Sequence, residues 1–180
     1  MLNDKYPTLE TERLLLKLLT LEDVNEVFTH FSNPLVTRFM DIEPCKSIEE
    51  AEEVIQYHLK DEGCRWGIFK EDSQFIGTVG FHHLRAKKDE TIAEIGFDLS
   101  NQYWGQGLMV EALTKVLSFG FSKMNLTKID ATVDPANERC IHLLNKLDFA
   151  CGIELQEDHL LYYYLKNPSR RQFKHERYLL

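Results

Sequence analysis

The strongest constraint on this chain is a change of hydrophobic period at one glycine-containing turn. Over residues 90–99, Ala93, Ile95, Phe97 and Leu99 share one face, and Ile92, Glu94, Gly96 and Asp98 share the other, which is the period of a strand. Beyond it, Met109, Ala112, Leu113, Val116, Leu117, Gly120 and Met124 recur at helical spacing, predicting a helix over 108–124. The joint is Gln102-Tyr103-Trp104-Gly105-Gln106-Gly107-Leu108. Its glycines permit backbone conformations that other residues resist, and the first amides of the helix that follows have no partner inside that helix.

The other elements surround this joint. Residues 13–19 (RLLLKLL) read as a strand. Thr20 then caps an acidic first turn, Leu21-Glu22-Asp23, and a helix runs to about Phe31, where Asn33-Pro34 breaks it. Ser47-Ile48-Glu49-Glu50 has the form of a capping box, opening a helix to about Lys60 that Gly63 ends. Residues 64–70, 75–84 and 90–99 read as an antiparallel meander, and 128–133 as a further strand. Asp134-Pro135 is expected to start a helix whose buried stripe is Cys140, Leu143, Leu144 and Leu147. Two strands, about 151–155 and 159–165, complete an α/β (α+β) domain. Its sheet is expected to be mixed and mostly antiparallel, with seven strands and about four helices. With no repeat and no linker-like stretch, residues 1–180 read as one domain, with a core over 9–165 and a basic tail over 166–180.

The formal net charge of −8 argues against nucleic acid, whose phosphates demand Lys and Arg, and favours a cationic partner such as an amine. An acidic run over 41–62 (Asp41, Glu43, Glu49, Glu50, Glu52, Glu53, Asp61, Glu62) reads first as a solvated helix face and second as the flank of a groove for a basic peptide. No apolar run has the roughly 18 residues of a membrane span, and the first residues lack a secretory core, so the expectation is a soluble, cytoplasmic protein with no membrane contact. Cys45, Cys64, Cys140 and Cys151 are scattered, and His82 and His83 point to opposite faces of a strand; neither pattern suggests a metal site.

The turn at 102–108 can cradle an anion, because helix-terminal amides and the helix dipole both favour negative charge; its alternative is a plain glycine turn. It is not a Walker A loop, since Leu108-Met109 follows Gly107, and it lacks the third glycine of the dinucleotide fingerprint. It does match Gln/Arg-x-x-Gly-x-Gly/Ala, as Gln102-x-x-Gly105-x-Gly107. Ala93-Glu94-Ile95-Gly96-Phe97-Asp98-Leu99, Glu111-Ala112-Leu113, Asp134-Pro135-Ala136-Asn137, Lys146-Leu147-Asp148-Phe149 and the opening Leu9-Glu10-Thr11-Glu12-Arg13-Leu14 extend the match. Together they resemble the GNAT superfamily of N-acetyltransferases, and within it the branch of ribosomal-protein N-terminal (alanine) acetyltransferases.

The resemblance implies a sheet splayed in its middle, between the strands at 90–99 and 128–133, with acetyl-CoA as co-substrate and no metal. Pantetheine would pair with the backbone at Phe97 and Leu99. Gln102, Trp104, Gly105, Gln106, Gly107, Leu108 and Met109 would hold the pyrophosphate, and Asn137 would hydrogen-bond the pantetheine arm, unless it serves only its own helix turn. Cys140 stands where the family often has Ser beside the departing thiolate; its alternative is a small apolar residue of the helix stripe. Amine attack needs a base. Glu94 is the first candidate, Asp98 the second, and Asp130 is expected nearby; Glu111 is expected to brace the loop. The resemblance implies, as the first expectation, acetylation of a (ribosomal) protein N-terminus; the alternatives are acetylation of a small amine such as a polyamine or aminoglycoside, and a non-catalytic acyl-CoA-binding regulatory module. Whether the chain forms a homo-oligomer is likewise open.

Overall fold

Strand alternation becomes register in one mixed sheet. The computed structural model describes residues 5–60, 64–152 and 159–168. Its strands are β1 (Leu9–Glu10), β2 (Leu14–Leu18), β3 (Cys64–Lys70), β4 (Phe75–Lys87), β5 (Glu90–Leu99), β6 (Lys128–Val133), β7 (Ala150–Cys151) and β8 (Leu161–Lys166). They lie in the order β1-β2-β3-β4-β5-β6-β8-β7. The helices are α1 (Val24–Phe31), α2 (Pro34–Thr37), α3 (Ile48–Lys60), α4 (Leu108–Ser122) and α5 (Glu138–Lys146). The parallel β5–β6 ladder registers Ile92 with Lys128, Ala93 with Ile129 and Glu94 with Asp130, and both strands run on past it, to Leu99 and Val133. β6 and β8 pair antiparallel.

The chain divides into two compact units, Met1–His82 with Ile95–Val116, and His83–Glu94 with Leu117–Leu180; β4, β5 and α4 each run through both. In the first unit, Val27, Phe31, Ala51 and Ile55 from α1 and α3 pack on Leu19 and Phe69. In the second, Leu126, Ile129, Ala131, Val133, Leu144 and Phe149 are buried.

Four local expectations change. An eighth strand, β1, is added: its two residues are too few to show a period, and pairing Leu9 with Leu16 defines it. Asn33-Pro34 ends α1 but also starts α2, because the Asn33 side chain accepts from the Leu35 amide at 3.0 Å. Asp134-Pro135 forms a turn before α5 rather than its start. The Asp134 carboxylate takes the Ala136 amide at 2.7 Å, and Asn137 is the cap. The stripe on α5 is half-buried except at Leu144, which is buried. The basic tail from residue 169, the end of the α3 segment at Gly63 and the strand expected over 153–155 lie outside the described residues.

Close packing in the first unit depends on missing side chains. A Cβ on Gly96 would sit 2.3 Å from His82 Nε2, which itself faces Arg65 Nη1 at 3.0 Å. Gly96→Ala is therefore expected to lower the unfolding free energy by about 1–3 kcal/mol, the usual penalty of overpacking. Adding His82→Ala should return part of that loss in a denaturant titration; equal stability of wild type and Gly96→Ala would contradict the packing.

Candidate functional site

The turn at 102–108 has the backbone that its glycines suggest. Gly105 and Gly107 both have φ of 76°, a region that carries a penalty of about 1–2 kcal/mol for residues with a Cβ. Conformation, not crowding, selects Gly105, since a Cβ there would meet nothing within 4 Å. The carbonyls around the turn are tied back by side chains. Trp104 Nε1 donates to the Leu99 carbonyl at 2.8 Å, Gln106 Nε2 to that of Gln102 at 3.1 Å, and Arg13 Nη1 to that of Gln106 at 3.1 Å. With these acceptors engaged, the first-turn amides of α4 are the polar groups that the turn can offer an incoming anion. Gln102, Gly105, Gln106 and Gly107 are exposed, while Leu108 and Met109 bury their side chains and anchor the helix start.

Glu111, one turn into α4, braces this loop as expected. Its Oε1 accepts from Thr11 Oγ1 at 2.6 Å and the Arg13 amide at 2.8 Å, and its Oε2 from Arg13 Nε at 2.7 Å. Burial works against the charge, but the bonds from Thr11 and Arg13 outweigh it and hold the carboxyl below its ordinary range. Arg13 thus grips Glu111 and the Gln106 carbonyl together. Sequence reading missed its role, although Thr11 and Arg13 both lie in the opening segment that carries the family resemblance.

Asp98, the second candidate base, is buried and committed elsewhere. Its Oδ1 faces His30 Nε2 at 2.6 Å and accepts from the Thr78 amide at 3.0 Å; its Oδ2 accepts from Arg65 Nη2 at 2.6 Å and from the Thr78 hydroxyl. Burial opposes its charge, yet Arg65, His30 and Thr78 together hold the carboxyl well below the usual Asp range. Such a group has neither the proton affinity nor a free lone pair for base chemistry. Its partners, His30 and Arg65, gave no sequence signal beyond being polar residues among apolar ones. Phe97 and Leu99, the neighbours of Asp98 on β5, are half-buried.

In the second unit, Glu94 is half-buried: its Oε1 accepts from Thr132 Oγ1 at 2.8 Å and its Oε2 faces His83 Nδ1 at 3.2 Å. Asp130 is its register partner on β6. Asn137 caps α5, its side-chain carbonyl accepting from the Cys140 amide at 3.2 Å, so this helix-turn role is real whatever else the residue does. Burial pushes the Cys140 thiol up to about 12; it stays protonated near neutral pH and is a poor nucleophile.

Two carboxyl and imidazole shifts give the first unit an acid sensitivity. His58 is lowered to about 3, by burial first and by Arg65 and His82 after it. A depressed histidine takes up its proton more readily when unfolded, so its contribution to stability is full above about pH 6.5 and falls as pH drops toward the folded value. Asp98, also depressed, withdraws its contribution at lower pH, below the ordinary Asp range near 4. The melting temperature is expected to start falling near pH 6, and His58→Gln should flatten the upper part of that decline. A wild-type melting temperature constant from pH 7 to 4 would contradict the His58 assignment, and one that stayed constant on further acidification below pH 4 would contradict that of Asp98.

Comparison with known proteins gives the family and the fold. A family model described as an acetyltransferase (GNAT) domain matches residues 13–150. The chain is 40% identical to an uncharacterized N-acetyltransferase of Bacillus subtilis (strain 168), YoaA, over 80% of this chain and 83% of that one. It is 28% identical to the spermidine N(1)-acetyltransferase of Escherichia coli (strain K12), over 91% of this chain and 87% of that one. The fold is shared, with a TM-score of 0.74 and 21% identity, by a spermidine N-acetyltransferase from Vibrio cholerae solved with CoA and spermine, covering 86% of this chain and 95% of that one. Among the described residues no helix is long and apolar enough to cross a membrane.

Proposed function

The chain belongs to the GNAT acetyltransferase family and is an acyltransferase that uses acetyl-CoA, and from that premise we propose that it acetylates a primary amine of a small polycationic acceptor of the polyamine class. The observation that carries the acceptor class is the near full-length similarity to a spermidine acetyltransferase; a net charge of −8 suits such a cation. The second reading is a protein N-terminus, the ribosomal-protein branch, favoured by the motifs at 93–99, 134–137 and 146–149.

In either reading the turn at 102–109 binds the pyrophosphate, and the β5 backbone at Phe97 and Leu99, past the β5–β6 ladder, receives pantetheine, with the Leu99 carbonyl already taken by Trp104. Support comes from the two left-handed glycines and the tied-back carbonyls. Asn137 has used its carbonyl on α5, leaving its amide NH2 to donate to the pantetheine arm. Glu94 is the base: it takes a proton from the attacking ammonium, directly or through water, and the neutral nitrogen then attacks the thioester carbon. The C–S bond breaks, CoA leaves as a thiolate, and the nitrogen, cationic after its attack, gives up its second proton to solvent. Cys140, protonated, serves that sulfur as a weak S–H donor. The thioester is already activated, so holding the two substrates together supplies much of the acceleration. The domain boundaries, residues 1–180 as one catalytic domain, are part of the same proposal.

Glu94→Gln keeps size and removes the proton acceptor, and losing general-base catalysis typically lowers a rate about 10²–10⁴-fold. The drop is expected in kcat, with acetyl-CoA affinity nearly unchanged, and it should shrink at high pH, where free amine is abundant. Normal turnover of Glu94→Gln from neutral to alkaline pH would remove the assignment.

The acceptor is tested by CoA release from acetyl-CoA with spermidine, spermine, an aminoglycoside and a short basic peptide with a free N-terminus. Polyamines should give the highest kcat/KM. A peptide preference of about tenfold, or 1.4 kcal/mol in transition-state binding, would transfer the proposal to protein N-termini.

A further inference from the structure

Asp130 is an exception to the rule that buried polar atoms find partners. Its side chain is 2% exposed. Oδ2 accepts twice, from the Arg85 guanidinium and from the Tyr162 hydroxyl at 2.9 Å. Oδ1, equally buried, has no hydrogen-bond partner. On the neighbouring strand its register partner is Glu94. In-register residues of a parallel pair send their side chains to the same sheet face, and the Thr132–Glu94 bond shows which face this is, since Thr132 lies two residues from Asp130 on β6. Two carboxyls thus sit side by side, and adjacent like charges out of water do not both ionise cheaply.

We propose that Asp130 is a positioning residue for acetyl transfer: its Oδ1 carries a proton and donates it in a hydrogen bond to Glu94, fixing the base from the adjacent strand. This accounts for the asymmetry of its two oxygens. A neutral carboxyl has a carbonyl-like oxygen that accepts, here Oδ2, and a hydroxyl that donates. The cations nearby do not compel ionisation. Arg85 is 44% exposed and also donates to the His83 carbonyl, so solvent screens much of its charge. His83 faces Glu94 rather than Asp130, and Lys128, the remaining cation of β6, is drawn to Glu90 at 3.7 Å. Tyr162, opposite Thr132 on β8, contributes a neutral hydroxyl. Burial first, and Glu94 beside it, push the Asp130 carboxyl upward against Tyr162 and Arg85. During reaction the amine's N–H bond breaks and an O–H forms on Glu94, while Asp130 keeps its own proton.

The inference rests on Glu94 being the base, and its test separates the two ideas. Infrared difference spectra of the folded full-length protein at neutral pH, wild type against Asp130→Asn with carboxyl-labelled aspartate, should show the carbonyl stretch of a protonated carboxylic acid in the wild type and not in the variant. Turnover should fall roughly tenfold or more in Asp130→Leu, part of the general-base contribution, with the acetyl-CoA KM unchanged. Asp130→Asn should lose less, because its amide also donates. If Asp130→Leu does not fold, the infrared band and Asp130→Asn still decide. Absence of the band, or its persistence in Asp130→Asn, overturns the proposal, and so does equal loss in the two variants, which would mean an ionised Asp130. A normal Glu94→Gln enzyme with the band intact would overturn the base assignment and leave the protonated Asp130 standing.

Discussion

Much of the first unit depends on keeping one carboxylate ionised out of water. An isolated buried charge is prohibitively expensive, and only a full set of donors makes it tolerable. Asp98 has that set: a guanidinium from β3, a hydroxyl and an amide from β4, and an imidazole from α1. The four bonds end on three different elements, so the carboxylate fixes these relative to β5. Removing any one partner leaves a deficit that the others do not cover. The network also reaches outward, since His30 continues to Ser100 Oγ at 2.9 Å and Arg65 to His82. Its requirement for space is why β5 carries glycine at 96.

The turn after β5 uses the opposite strategy. Little is buried there, and order comes from occupying carbonyls rather than from apolar packing. Trp104, Gln106 and Arg13 each take one. The Arg13 guanidinium in turn is held by one carboxylate oxygen of Glu111, while the other takes the Thr11 hydroxyl and the Arg13 amide. A loop so arranged presents donors without first having to rearrange, which is the preorganisation that anion recognition benefits from.

How far these features could be read from the sequence depends on their range. The alternation on β5, the helix of α4, the left-handed glycines and the loop-bracing role of Glu111 are local or motif-borne, and each was legible. The parallel pair of the second half followed from a strand–helix–strand unit, a connection that favours parallel pairing in one sheet. What was not legible is what unites distant residues. Asp98 read as a polar-face carboxylate, like Glu94, because both alternate with the same apolar partners; only the arrival of His30 and Arg65 from elsewhere in the chain separates a structural anion from a candidate base. Asp134-Pro135 carried two competing meanings, a helix start and a turn, and the helix began only where Asn137 capped it. β1 is too short to have a period at all.

The nearness of Asp98 to the turn restricts what lineages of this chain can do with loop length. Surface loops ordinarily drift by insertion and deletion, since extra residues cost little closure entropy. Here one end is fixed by the buried carboxylate, and the other by Leu108 and Met109 in the core. A single added or lost residue between them would move Gly105 and Gly107 out of their left-handed positions and put residues with a Cβ there instead. Change in this stretch is therefore expected as replacement of one side chain by another at constant spacing.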